Sequence, residues 1–452
     1  IQTIDVSDYD KIQELSNRFI NATTDRERDV ANGLIKKFIW NKQPKKWADK
    51  DRTFRNMNML LSLPSRLLDV TSTAAFQGIN ALDELVAKGI DKAMGTGLRG
   101  KMTTPVEWWK SVARGAKEGA EDVNLGINTA RSGEVDRYEL GFHPQFENVP
   151  ILGGAEKALN ATIRIPDRMF YEARFDSALK DLMSTGKFTA EEAEEIARNE
   201  ALQAVFQGEG LLSKSSKFAR DLLNGRIDNK PMFDNETVQN IADNIQLGNR
   251  IAPFVQTPAN LIAEGLERSP LGLAKGGFEM ATAKTPQQLR QAQQTLAKGI
   301  TGTTGATLGG GYLLNQVPNT IGGFTNEDLY GDDVTGLPPQ SIVIGDKAVS
   351  LASMPFLTIP AGLGKALLEP DKTMPERLLN ATTYTGNILS DLPMLKGLGD
   401  LYKGSADIAK VGADYALGNT DLAEVGQSVG RVAGQQGANI LSQYIPLSGT
   451  LG

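Results

Sequence analysis

The 452-residue sequence has no cysteine and one histidine, His143. Without thiols there is neither a disulfide framework nor a thiolate metal site. A single imidazole leaves most zinc chemistry short of ligands and makes a Ser-His-Asp triad improbable. His143 stands beside a proline in GFHPQF and reads as a loop or packing residue. Aromatics are scarce at 6 %, which favours closely packed helices over a large aromatic enzyme core. Basic excess is also missing: the net charge of −6 argues against a surface that coats DNA generically. The N-terminal IQTIDVSDYDKIQEL lacks the apolar core of a signal peptide. It starts at Ile1, as expected of a fragment, a processed product or part of something larger.

What is present fits a folded chain, with 40 % hydrophobic and 23 % charged residues. The length suits two to four domains or one elongated module. The first fifty residues read as charged helices. Lys36 to Arg55 carries eight Lys/Arg, interleaved with Trp40 and Trp47. Lys36, Lys37, Lys42, Lys45, Lys46, Arg52 and Arg55 are therefore candidate contacts to DNA or lipid headgroups; a solvated helix-turn-helix is the plainer alternative. Within Met57 to Asp91 the apolar residues run almost continuously from Met57 to Leu63, then recur at Leu67, Leu68, Val70 and Phe76. Arg66 and Asp69 interrupt any membrane span, so a buried helix pair is expected.

Periodicity is clearest in the middle. Tyr171, Phe175, Ala178 and Leu182 line one helical face, with Pro166 expected in the first turn. Thr189 to Glu192 spells a capping box, opening a helix that buries Ala193, Ile196, Ala197, Ala201, Ala204 and Val205. Asn235 signals a capped helix, and Thr285-Pro286-Gln287-Gln288 repeats the capping logic. From Gly299 to Asn326 come 28 residues without a charge, eight of them glycine. Gly305 and Gly309 with Tyr312, Leu313 and Leu314 are candidate membrane or subunit contacts, through a GxxxG that permits close helix approach. Ser341 to Leu351 reads as a β-hairpin, and Pro355 and Pro360 argue against a regular spanning helix beyond it. The expected fold is mainly α, an elongated multi-helix assembly with one small β-hairpin near 341–351. Its expected parts are a charged helical region 1–145, a central helical region 146–298 and a Gly-rich, weakly hydrophobic region 299–452.

No enzyme signature emerges, and no catalytic, cofactor-binding or metal-ligating residues are assigned. GTGLRGKM, Gly95 to Met102, approaches a phosphate-binding loop but has Met102 where a metal-binding hydroxyl belongs, and reads better as a basic turn. Glu191, Glu192, Glu194 and Glu195 complement a helix dipole. Glu327, Asp328, Asp332 and Asp333 lack EF-hand spacing. Trp108-Trp109 reads either as an interfacial anchor or as a pair with one ring in the core. RIAPFVQTPANLIAEGLERSP, Arg250 to Pro270, reads as a rigid corner built on Pro253, Phe254, Thr257, Pro258 and Asn260. Thr257 is the expected N-cap, Pro258 the first helical residue and Pro270 the end of the region.

Four segments in order resemble the helical, non-enzymatic parts of very large virion proteins of tailed phages, including internal (ejection) proteins of short-tailed phages. They are RNMNMLLSLPSRLLDVTSTAAFQGIN (Arg55 to Asn80), AEEIARNEALQAVFQGEG (Ala193 to Gly210), the Pro253 to Asn260 core, and the Ile342 to Leu351 hairpin with its Pro-interrupted sequel. Val205 stands where relatives often have Thr. The resemblance implies a non-enzymatic protein packaged in the capsid and exported into the host envelope with the genome. The implied partners are further copies of the chain, portal or other ejection proteins, non-specific viral double-stranded DNA and the host membrane. A purely structural virion scaffold is the alternative, and an enzyme whose site escapes recognition is a third.

Overall fold

The computed structural model describes residues 6–42, 50–51, 53–55, 57, 63–127, 146, 149–206, 226–227, 230–231, 256–305, 321–322, 341–344, 347–350, 355–368, 373 and 377. They are mostly helical. The first pair is α1 (Val6–Ile20) and α2 (Asp25–Lys42). Thr24 Oγ1 accepts from Glu27 N while Glu27 Oε2 accepts from Thr24 N, a capping box that fixes where α2 begins. Lys42 reaches back 2.5 Å to Asp8, closing the pair at its open end.

Helix α3 (Leu63–Met94) runs 32 residues without a break. The helix pair expected over Met57 to Asp91 is thus mainly one helix. Pro64 falls in its first turn, where no intrahelical N–H is needed, and Gly78 alone does not break it. Helix α4 (Pro105–Leu125) opens on a Thr104–Glu107 capping box and ends at Gly126, whose φ of 61° is the left-handed conformation a helix stop requires.

Helix α5 (Pro150–Met183) starts at Pro150 and carries Pro166 in its interior, not in the first turn as expected. Apolar packing on both sides of the proline, Leu159 before it and Phe170 and Tyr171 after it, holds the two halves in one helix. Helix α6 (Ala190–Ala204) follows, with Thr189 and Glu192 capping each other as the sequence dictates. Phe170, Tyr171, Phe175, Ala178 and Leu182 of α5 meet Ala193, Ile196, Ala197, Ala201 and Leu202 of α6 in the main apolar core. Small residues on α6 let the larger α5 side chains fill the gap, and Tyr171 stacks on Phe175 with centroids 6.1 Å apart. Helix α4 lies against α5 backbone to backbone. A Cβ added at Gly115 would come within 2.6 Å of Arg168 O.

Three further helices are α7 (Gln256–Glu267), α8 (Pro270–Thr282) and α9 (Pro286–Gly302). Ser269 and Thr285 cap α8 and α9, each followed by proline at a position that spends no helical donor. Helix α10 (Pro355–Leu368) packs on α7 with Pro360 inside it. At 1.5 Å per residue it measures about 21 Å, short of a bilayer core of about 30 Å. Paired backbone segments are β1 (Arg226–Ile227) with β2 (Lys230–Pro231), and β3 (Ile321–Gly322), β4 (Ser341–Ile344) and β5 (Lys347–Ser350). Ile342 pairs with Ile321 on one side and Val349 on the other, all antiparallel.

Candidate functional site

The helices meet around charge. Along α3 the buried stripe reads Phe76, Asn80, Asp83, Glu84, Ala87 and Asp91, spaced as an apolar face would be but largely ionic. Each carboxylate on it finds a cation or donor from a distant part of the chain.

The central cluster joins α3, the Gly95–Thr104 turn, α5, α6 and α9. Arg174 spans Glu84 at 2.7 Å and Glu200 at 2.6 Å. Arg290 bonds Asp181 at 2.6 Å, Glu200 at 3.1 Å and the carbonyl of Leu98 at 2.9 Å. Arg99 reaches Glu84 at 3.1 Å and the carbonyl of Arg290 at 3.0 Å. Lys88 pairs with Asp181 at 3.0 Å, and Asp91 accepts from the backbone of Leu98 at 2.9 Å. The turn read from sequence as merely basic thus sends Arg99 inward. Four cations (Lys88, Arg99, Arg174, Arg290) face three carboxylates (Glu84, Asp181, Glu200), while Asp91 beside them takes backbone and amide donors.

A second cluster ties α3 to α7, α8 and α9. Arg268 lies over the Phe76 ring at 4.9 Å, bonds Asp83 at 2.6 Å and Asn80 at 2.7 Å, and pairs with Glu264. Lys298 bridges Glu264 at 2.7 Å and Glu267 at 3.0 Å, and Lys275 meets Glu267 from outside. A third binds α4 to α5: Arg168 holds Glu118 at 2.7 Å and Glu172 at 3.0 Å, while Arg114 bonds Glu172 at 2.9 Å and also Asp176.

Burial pushes the Glu84 carboxyl upward, but Arg174, Arg99 and Arg290 outweigh it and hold it well below the carboxylate range. Glu200 moves the same way through Arg290 and Arg174. Burial would also raise Glu267, yet Lys298 and Lys275 bring it down to about 2. Burial lowers the Lys298 ammonium less than Glu264 and Glu267 raise it. General acid–base work near neutrality needs groups brought toward pH 7. These move away from it, so the clusters act as clamps that stay ionised. Among the described residues no group of His, Asp and Glu is arranged to hold a metal ion.

The residues proposed from sequence are dispersed. Lys36 is exposed on α2. Lys37 donates to the carbonyl of Leu125 at 2.9 Å, closing the end of α4, and Lys42 is engaged by Asp8. Arg55 is 1 % exposed and paired with Asp51 at 3.2 Å, so it is no free surface cation. Lys45, Lys46, Arg52 and His143 lie outside the described residues, as do Gly309, Tyr312, Leu313, Leu314, Pro253, Phe254 and the Asn235 helix. Gly305 ends the α9 segment, and among the described residues no atom lies within 4 Å of an added Cβ. The close glycine contact is found one helix pair earlier, where Gly299 of α9 lies against Gly272 and Leu273 of α8, Gly276 of α8 against Leu296, and Gly302 against Arg268 in the corner before α8. A Cβ at Gly276 would come within 2.5 Å of Leu296 N.

The expected corner is shifted. Helix α7 begins at Gln256, so Thr257 is helical and not the cap, and Pro258 follows within the first turn. Pro270 opens α8 and does not close the region, because Ser269 in front of it caps that helix. The corner therefore falls at Arg268–Ser269. Asn260 does bridge to another element: its Nδ2 donates to the carbonyl of Phe206 at 2.8 Å.

The clamps follow no apolar periodicity and so are not visible in hydropathy. The available signal was the helical spacing of Asn80, Asp83, Glu84 and Asp91 themselves. Comparison with protein-family models, curated proteins and solved structures finds no match. Among the described residues no helix is long and apolar enough to cross a membrane.

Proposed function

We propose that this chain is an internal virion (ejection) protein of a short-tailed bacteriophage. In that reading it is non-enzymatic, packaged in the capsid, and released into the host envelope with the genome. There it oligomerises into an elongated helical assembly and helps form a conduit for DNA. The ordered set of four segments between Arg55 and about residue 360 carries the reading.

The physical chemistry is compatible with such a passage. A protein leaving through a narrow portal must lose and regain its fold, and here no covalent cross-link opposes that. Helices joined by ion pairs and glycine contacts can separate and re-form with the same partners. The proposed partners are further copies of the chain, portal or other ejection proteins, viral double-stranded DNA bound without sequence preference, and the host membrane.

A second reading, a structural scaffold of the virion with no membrane role, draws on the absence of a membrane-crossing helix among the described residues. Imaging particles before and after ejection, with antibody-marked chain, separates the two. Signal inside the full capsid and in the envelope afterwards supports delivery. Signal retained in the emptied shell supports the scaffold. A chain missing from purified particles overturns both.

A further inference from the structure

We propose that the outer face of α4, with the turn before it, is a docking patch for an anionic lipid surface. Met102, Val106 and Trp109 are 43, 65 and 64 % exposed, adjacent in sequence and, for Val106 and Trp109, one helical turn apart on the same face. Ala113, also exposed, continues that face. Isolated surface apolar residues need no explanation, but a clustered tryptophan patch does.

The patch is preorganised. Trp109 stands edge-on to Trp108 with ring centroids 5.0 Å apart and planes at 83°. Trp108 in turn packs against the apolar core between α5 and α6. The exposed indole therefore projects from a fixed base.

Charge selects the occupant. Lys101, Lys110 and Lys117 are exposed around these residues, and Lys110 and Lys117 share the Val106 face at four and eleven residues. None of the three pairs with a carboxylate among the described residues. The acidic residues of α4 are each already engaged by a cation of another helix. Glu107 is held by Lys180 at 2.7 Å, Glu118 by Arg168 at 2.7 Å, and Glu121 and Asp122 by Arg26 at 3.1 and 2.7 Å. The patch thus presents positive charge in a chain of net charge −6. Tryptophan at headgroup depth with lysines extended toward phosphates is the chemistry of a lipid–water interface.

The lipid setting rests on the envelope reading above; the patch itself rests on α4 and the turn before it. The test is flotation of the full chain with phosphatidylcholine vesicles, with and without phosphatidylglycerol. Binding is expected only with phosphatidylglycerol. Trp109→Ser should weaken it by about tenfold or more, and Lys110→Gln and Lys117→Gln by about fivefold each. Unchanged melting temperature shows that the variants stay folded, and Val106→Ser is a second apolar probe. Vesicle binding that none of these changes reduces overturns the patch but leaves the envelope reading standing. Equal binding to neutral vesicles overturns the charge selection. No binding at all overturns the patch, while particle imaging still decides the delivery reading. Concentration-dependent self-association abolished by Trp109→Ser assigns the face to a second copy instead, and also overturns it.

Discussion

Two helical hairpins in this molecule have different interiors. Between α5 and α6 the contact is aromatic and aliphatic, with Phe170, Phe175 and Leu182 set against Ala193, Ile196 and Ala201. Between α8 and α9 there is little apolar side chain to bury. The buried residues of α8 are Gly272 and Gly276, and those of α9 include Arg290, Gln293, Lys298, Gly299 and Gly302, with nothing apolar larger than alanine. There the backbones touch, and arginine and lysine fasten the pair to α3, α5, α6 and α7. The first hairpin is held mainly by non-directional burial, which tolerates repacking, with the Arg174–Glu200 pair at its side. The second depends on fixed charge geometry, where losing one partner leaves another buried and exposed to the full desolvation cost.

Replacing Arg290 with methionine should break the second kind of contact hardest. Asp181 and Glu200 would remain buried without their shared cation, at a cost of about 3–5 kcal/mol in urea unfolding. A loss below about 1 kcal/mol would mean that the cluster is no clamp. Leu182→Ala probes the first hairpin and should cost about 3 kcal/mol through the cavity it leaves. Gly299→Ala should cost about 2 kcal/mol by forcing α8 off α9, since the new Cβ would meet Leu273 N at 2.5 Å. Its signature is faster amide exchange in α8 and α9 with α6 unchanged. Equal acceleration in α6 would show that the hairpins are one cooperative unit.

Acid should separate the hairpins most gently. Glu267 titrates near 2 in the fold against an ordinary 4.5, and Glu84 and Glu200 are displaced in the same direction. Their contribution is complete above about pH 4.5 and is lost as pH falls toward about 2, because the unfolded chain then binds more protons. Lys298 is displaced upward, so its contribution persists below 10.5 and is lost as pH rises through the folded value. Amide exchange during acidification should therefore quicken around Glu267 before it does in the α5–α6 core.

Much of the first hairpin was legible in the sequence and little of the second. Thr189–Glu192 capping and the Tyr171, Phe175, Ala178, Leu182 face depend on local spacing, and both are found where the spacing places them. Thr285 likewise accepts from Gln288 N at 3.1 Å. Pro166 was misplaced because a proline inside a helix is tolerated only through tertiary packing that spacing does not reveal. The ion clamps were illegible for a related reason. A charged residue such as Arg290 or Asp83 announces a solvated face until its partner, some 90 to 218 positions away, is known. Glycine pairs share the difficulty: GLAKG at Gly272 to Gly276 is common in sequence, and only its opposing helix gives it meaning.

Phe206, just past α6, adopts φ 55°, a left-handed conformation unusual for a residue with a side chain. Its ring meets Phe76 at 4.5 Å, and its carbonyl is taken by Asn260, while Gln77 binds the carbonyl of Ala204 at 3.0 Å. The end of α6 is therefore held by two other helices, α3 and α7. Its backbone is bent against its own preference and stays bent only while α3 and α7 are both in place. Phe206 therefore couples three helices through one residue, so loosening either α3 or α7 removes a support of this backbone bend.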